Sequence, residues 1–248
     1  MGQTIYILWL RQLKRYFRNR ARIIGSLGQP LLFLVALGLG FGPIYAKAGD
    51  GSYIQFLAPG IMAMSILFTS MFAGMEIIWD RQFGFLKETL VAPVSRTKIM
   101  IGRTLGGTTI AVFQGIMVLI ISLFAGFKPD FVMLPVAILF MILTSLLFTA
   151  LGTAIASHLN DMQGFQLIMN FLVMPLFFLS GSLFPLEGMP KAINFIAMIN
   201  PLTYGVDGIR GALTGMTTFG MALDFTVLLI VGTILIFIGS YLFSKIEI

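Results

Sequence analysis

His158 is the only histidine in this 248-residue chain, and there is no cysteine. Metal sites and nucleophile–base pairs need several ligands or partners, so one imidazole beside Asn160 and Asp161 makes neither a zinc centre nor a triad. Neither H-E-x-x-H nor the phosphate-cradling G-x-x-x-x-G-K-[ST] occurs, and no Gly is followed by Lys. The expectation is no catalytic residue, no metal and no cofactor held by this chain, and no ATP bound by it. Charged and amide side chains stand instead in a basic run over 11–22, in a block over 80–98 and, interleaved with apolar residues, over 180–210. Charged and amide side chains in such blocks serve recognition and mechanical contact rather than bond-making.

The elements that position these blocks are legible in the charge pattern. Six windows of 20 to 27 residues, 23–46, 51–75, 104–127, 131–157, 162–186 and 225–244, lack Asp, Glu, Lys, Arg and His. A helix crossing a hydrocarbon core of ~30 Å needs about 20 mostly apolar residues, so each window is long enough to span. Composition agrees: 10% of residues are charged, against about 25% in soluble domains. The fold class is therefore an all-α membrane protein with six transmembrane helices. The longest segment left outside them, 187–224, is too short for a separate soluble domain.

Twelve of the sixteen Lys and Arg lie before the first window, between the second and third, or after the last. The other four are Lys47, Lys128, Lys191 and Arg210. The positive-inside rule then places both termini in the cytoplasm, as an even number of spans requires. Charge gathered beside spans indicates topology rather than nucleic acid. Ala46-Lys47-Ala48 imitates a signal-peptidase site, but the apolar run before it exceeds the about 7–15 residues of a signal-peptide core and reads as an uncleaved span.

Residues 1–22 pattern as an interfacial helix. Arg11, Lys14, Arg15, Arg18 and Arg22 fall within an arc of about 100°, opposite Ile5, Tyr6, Trp9, Leu13, Tyr16 and Phe17; a basic tail that only sets topology is the alternative. Pro30, Pro59 and Pro175 predict bends within spans, and Gly102-x-x-x-Gly106 permits close helix packing. In segment 187–224, Pro190 and Pro201 suit helix starts. Its apolar runs are too short to span, leaving two short helices that either dip into the outer leaflet or lie on it. In loop 80–98, Leu86, Leu90 and Val91 give a short helix one apolar side and Pro93 ends it. That loop is either a docking element for a soluble partner or a solvated connection.

Arg81-x-x-Gly84-x-Leu86-Lys87-Glu88 followed by Pro93-Val94-Ser95-Arg96 resembles the cytoplasmic loop of type-2 ABC exporter permeases, the membrane subunits of drug-, lipo-oligosaccharide- and polysaccharide-exporting systems. A second block is similar to the family's end of span five and outer re-entrant helices: Gly181, Pro185 and Pro190, then Asn200-Pro201-Leu202-Thr203-Tyr204 with Asp207 and Arg210. The resemblance runs along nearly the whole chain. It implies a single transmembrane domain, 1–248, in a prokaryotic plasma membrane, pairing with a second copy and with two separate ATPase subunits that bind ATP and Mg. It also implies that Arg81, Gly84, Lys87, Glu88, Pro93 and Arg96 belong to a coupling helix contacting the ATPase. Asp80-Arg81-Gln82-Phe83 departs from the family's more acidic run, which alters the charge offered to that subunit.

Neutral polar residues within the windows, Ser65, Thr69, Gln166 and Asn170, are candidates for a substrate pathway, and the 24 Phe and 16 Met suit a hydrophobic, amphipathic or lipid-linked cargo as well as they suit lipid. An ion-coupled carrier or channel is the rival. Such proteins bury ionisable residues near the midplane, and the windows contain none. Glu76, at the end of the second window, is expected to pair with Arg81 or Arg103. Because the chain has no native cysteine, the topology is directly testable: Lys191→Cys is expected to react with a membrane-impermeant maleimide from the outer face only.

Overall fold

The computed structural model describes residues 2–47, 52–91, 94–159 and 161–245. Their regular structure is helical throughout: α1 (Gly2–Arg18), α2 (Arg20–Lys47), α3 (Tyr53–Gln82), α4 (Phe85–Val91), α5 (Arg96–Phe124), α6 (Leu134–His158), α7 (Met162–Phe178), α8 (Lys191–Ile199), α9 (Pro201–Thr214) and α10 (Met221–Ser244). Five of these, α2, α3, α5, α6 and α10, are long and apolar enough to cross a membrane, and α7 is apolar but shorter.

The long helices overrun their charge-free windows. α3 continues through Glu76 and Asp80 to Gln82, and α5 already begins at Arg96. A missing charge marks the part of a helix that sits in hydrocarbon, whereas the helix itself runs on into the polar zone. The connection between α3 and α5 is correspondingly short and carries only α4. At the other extreme, window 162–186 is helical only to Phe178. Pro175 has no N–H to bond the Phe171 carbonyl, and the helix opens into a π turn over Met169–Val173 just before it. Beyond Phe178 the chain turns, with Gly181 at φ +73.

α3 is the central post of the bundle: 20 of its 30 residues are buried. It packs on α6, α5, α2 and α9. Small residues set how closely. A β-carbon on Gly74 would lie 2.3 Å from the backbone of Gly152, so α3 and α6 cross at glycine on both sides. At the other end of α3, the Tyr53 hydroxyl donates to the Leu183 carbonyl at 2.8 Å and holds the turn that follows α7.

α1 does not merely rest on a lipid surface; it is docked on α5. β-carbons on Gly102 and Gly106 would meet Leu8 and Gln12 at 2.9 and 2.7 Å, so the glycine pair flagged by its spacing is the seat of α1. Trp9 Nε1 donates to Thr109 Oγ1 at 3.0 Å, and Tyr16 is 1% exposed against Phe113. The helical run expected over 1–22 breaks at Asn19, whose side chain accepts from the Arg22 N–H at 3.0 Å and starts α2.

Gly74→Leu is expected to cost at least the ~1–3 kcal/mol of an overpacked core, because backbone rather than a movable side chain faces it. Gly28→Leu, where nothing lies within 4 Å, is the control. Detergent melting temperatures of the two variants should fall sharply in the first and stay level in the second.

Candidate functional site

At one end of the bundle α3 presents Glu76 and Asp80 one turn apart on a single face. Arg22 Nη1 pairs with Glu76 at 2.6 Å, and Arg15 Nη1 approaches it at 4.0 Å. Arg103 Nη2 pairs with Asp80 at 2.5 Å, with Arg15 at 3.3 Å and Arg11 at 3.7 Å on the other oxygen. The expected Glu76 partners, Arg81 and Arg103, are thus replaced by Arg22 and Arg15. The reason is helix geometry. With α3 unbroken, Arg81 lies about 140° around the helix from Glu76, and Arg103 is taken by Asp80. The Asp80–Arg103 pair is buried on both sides, at 3% and 4% side-chain exposure.

Arg81 turns the other way. Its guanidinium donates to the carbonyls of Leu159 at 3.0 Å and Ser157 at 3.1 Å, at the end of α6. Arg96 does the same for α10, donating from Nη1 to the Ser244 carbonyl at 2.6 Å. A helix C-terminus carries unbonded carbonyls and a partial negative charge, and a guanidinium satisfies both. Two arginines flanking the loop therefore tie it to the ends of two further helices.

Between them, Gly84 (φ +81) makes the turn that only glycine adopts freely, and α4 follows. Leu86 is buried at 2%, while Phe83 (65%), Phe85 (51%) and Val91 (79%) are exposed together with Glu88. The Lys87 side chain and Pro93 lie outside the described residues. Val91, expected on the apolar side with Leu86, is instead exposed, and the Leu90 side chain lies outside the described residues. Phe83 and Phe85 had no role in the sequence reading, and an aromatic on each side of Gly84 in a polar loop was the available signal.

At the opposite end α8 and α9 form a helical hairpin, and here the second sequence block converges. Asn200 Oδ1 accepts from the Leu202 N–H at 3.0 Å, capping α9 with Pro201 in its first turn, while Nδ2 donates to the Leu176 carbonyl at 2.6 Å. Arg210 is 5% exposed, donates to the carbonyls of Phe56 (3.3 Å) and Gly181 (2.9 Å), and stacks its guanidinium 3.9 Å over the Phe56 ring. Burial lowers the Arg210 guanidinium to about 10, which leaves it cationic at neutral pH. Asp207 accepts from the N–H groups of Thr218 and Phe219 at 2.8 Å, closing the turn into α10. The Tyr204 hydroxyl donates to the Met198 carbonyl at 2.7 Å. Pro190 precedes α8 as its N-cap, and Pro185 shares a cavity of about 200 Å³ with Gly181, Asp207 and Arg210. α9 is buried along most of its length between α3, α6 and α10, whereas α8 exposes Phe195, Ile196 and Ile199.

The four pathway candidates separate into two places. Ser65 and Thr69 line a small cavity between α2 and α3. Gln166 and Asn170 sit with Gln163 on the exposed face of α7, Asn170 within the π turn. Ser26 was not anticipated, although it receives a hydrogen bond from Gln114 Nε2 in the same region. Among the described residues no group of three or more His, Cys, Asp and Glu is placed to hold a metal.

The described residues form a helical membrane bundle with an amphipathic first helix, a short charged loop at one end and the α8–α9 hairpin at the other. Residues 3–214 match the family model described as ABC-2 type transporter, and the chain belongs to that family. Its relatives include the predicted transport permease ycf38 of Porphyra purpurea, 32% identical over 84% of this chain and 73% of the relative. Nodulation protein J of Rhizobium leguminosarum bv. viciae is 27% identical over 85% and 82%. The inner membrane transport permease YadH of Escherichia coli (strain K12) is 29% identical over 89% of both chains. The protein is the multi-pass membrane permease subunit of an ABC exporter.

Asp80→Asn is expected to destabilise the permease by about 3–5 kcal/mol, because it strands Arg103 as a buried, unpaired charge. Replacing both partners, Asp80→Leu with Arg103→Met, should recover most of that loss in detergent melting curves.

Proposed function

We propose that the arginine end of the bundle faces the cytoplasm and that the Phe83–Val91 surface is where a separate ATPase subunit docks. The observation that carries this is the coexistence of an exposed aromatic and acidic face on α4 with firm ties on its other sides. Gly84 joins it to α3, Arg81 ties the loop to α6, and Arg96 ties it to α10. A push on α4 is therefore delivered to three spans at once. Arg81 and Arg96 act within the chain as transmitters, while Glu88, Lys87 and Phe85 meet the partner. Hydrolysis of ATP with its Mg happens in that partner, consistent with the lack of a phosphate loop here.

A second permease copy completes the pathway. α7 exposes Gln163, Gln166 and Asn170 beside Leu167 and Phe171, and amides facing hydrocarbon go unsatisfied. A second copy of this chain, with an aqueous or amphiphilic path between the two, supplies their partners. The relatives' names support transport at an inner membrane, and cavity linings that mix basic with aromatic and aliphatic side chains support an amphiphilic cargo. An ion-coupled carrier is disfavoured because the buried carboxylates Glu76, Asp80, Asp207 and Asp224 all lie outside the charge-free windows. Glu88→Arg is expected to weaken binding of the cognate ATPase subunit by about 30-fold or more, as for a charged interface contact, and to reduce export in proportion. Affinity and export in vesicles that match wild type would make the loop a spacer.

A further inference from the structure

Three cavities follow one another along the seam between α1–α2 and α3. The first, about 730 Å³, opens among Ile7, Arg11, Lys14, Arg18, Trp79 and Phe85. The second, about 550 Å³, shares Arg15 and Trp79 with it and reaches Arg22, Glu76 and Thr69. The third, about 170 Å³, shares Ser26, Thr69 and Phe72 with the second and ends at Met64, Ser65 and Phe68.

Charge changes along this path. The first two cavities are walled by five cations, Arg11, Lys14, Arg15, Arg18 and Arg22, against the carboxylates Glu76 and Asp80. Both carboxylates are already engaged: Arg103 holds Asp80 from behind and Arg22 holds Glu76. Lys14 and Arg18 are exposed and make no ion pair among the described residues. Deeper in, Met64, Phe68 and Phe72 take over the lining. There the Ser65 hydroxyl, on a residue 3% exposed, has no hydrogen-bond partner among the described residues.

We propose that this seam is a binding groove for a phosphate-headed lipid amphiphile, with the headgroup at Lys14, Arg15 and Arg18 and the acyl chain directed past Trp79 toward Phe72 and Phe68. Guanidinium and ammonium donors match the several acceptor oxygens of a phosphate. A soluble anion leaves the aromatic depth unused, and an uncharged lipid leaves the surplus cations uncompensated. The chemistry is common to a resident anionic phospholipid and to a phosphate-bearing cargo. The groove rests on charge and cavity geometry in one chain, so failure of the ATPase-docking reading does not touch it.

Trp79 lines both larger cavities, and Trp9 is the only other tryptophan. In Trp9→Phe permease in phosphatidylcholine vesicles, brominated phosphatidylglycerol is expected to quench Trp79 more strongly than brominated phosphatidylcholine at equal mole fraction. Lys14→Gln with Arg18→Gln should cut that preference by about 30-fold, from the ~5-fold that each basic side chain contributes near an anionic surface. Lys14→Arg with Arg18→Lys should retain it. Equal quenching by the two lipids, an unchanged preference in the glutamine variant, or full relief of quenching by soluble glycerol phosphate would each overturn the groove. Adding the ATPase subunits and ATP assigns the source: quenching that falls during turnover marks a cargo, and quenching that holds steady marks a resident lipid, both on the same groove.

Discussion

Two carboxylates at the end of the most buried of the long spans fix the places of three other helices. Glu76 and Asp80 ride on α3, which is largely apolar and fixed by close packing, so they cannot move to find cations. The cations come to them, from α1, α2 and α5. Burying an ion costs several kcal/mol unless a partner and further hydrogen bonds compensate, which makes this cluster a strict condition on where three other helices stand. α1 is the clearest consequence. Its basic edge is held to α3 while its apolar edge occupies the glycine seat on α5, so a helix that would otherwise be free to slide on a membrane surface is held from two sides.

The loop beyond this cluster inherits its rigidity. Arg81 is the next residue after Asp80, yet the helix turns it away from the acidic face and onto the end of α6. Consecutive side chains on one helical turn thereby address different neighbours, and the end of α3 becomes a junction for α1, α5 and α6. A loop fastened in this manner can pass on displacement without first absorbing it. The hairpin end is built on the same economy with other chemistry: Arg210, Asp207, Asn200 and Tyr204 spend nearly all their polar capacity on backbone groups.

The spans, their family resemblance and the two polar blocks were legible in the sequence because each is a matter of local composition or spacing. Charge-free windows mark hydrocarbon, and Asn200-Pro201 marks a helix start with its cap. What escaped was partnership. Gly102 and Gly106 advertise a close approach but not that α1 makes it. Arg81 and Arg96 look like surface contacts, since their targets are carbonyls at the ends of α6 and α10, and a carbonyl leaves no trace in a sequence. Glu76 was matched to Arg81 or Arg103, whereas its partner Arg22 lies 54 residues away. The α3 boundary caused that error: once the helix is known to continue to Gln82, the faces of Glu76 and Arg81 diverge.

The early end of α7 has a consequence for the surrounding bilayer. Its 17 helical residues rise about 26 Å, against about 45 Å for the 30 residues of α3. Ordinarily a spanning helix that stops short leaves bare carbonyls in oil. Here Asn200, Tyr53 and Arg210 donate to Leu176, Leu183 and Gly181 and seal the gap. The side of the molecule bearing α7 is thus thinner in regular helix than the ~30 Å of hydrocarbon beside it, a hydrophobic mismatch costing fractions of a kcal/mol per ångström. Lipid pressed against that side must thin to meet it, while a neighbouring protein surface of equal stature need not, so bilayer elasticity itself favours covering α7 with protein.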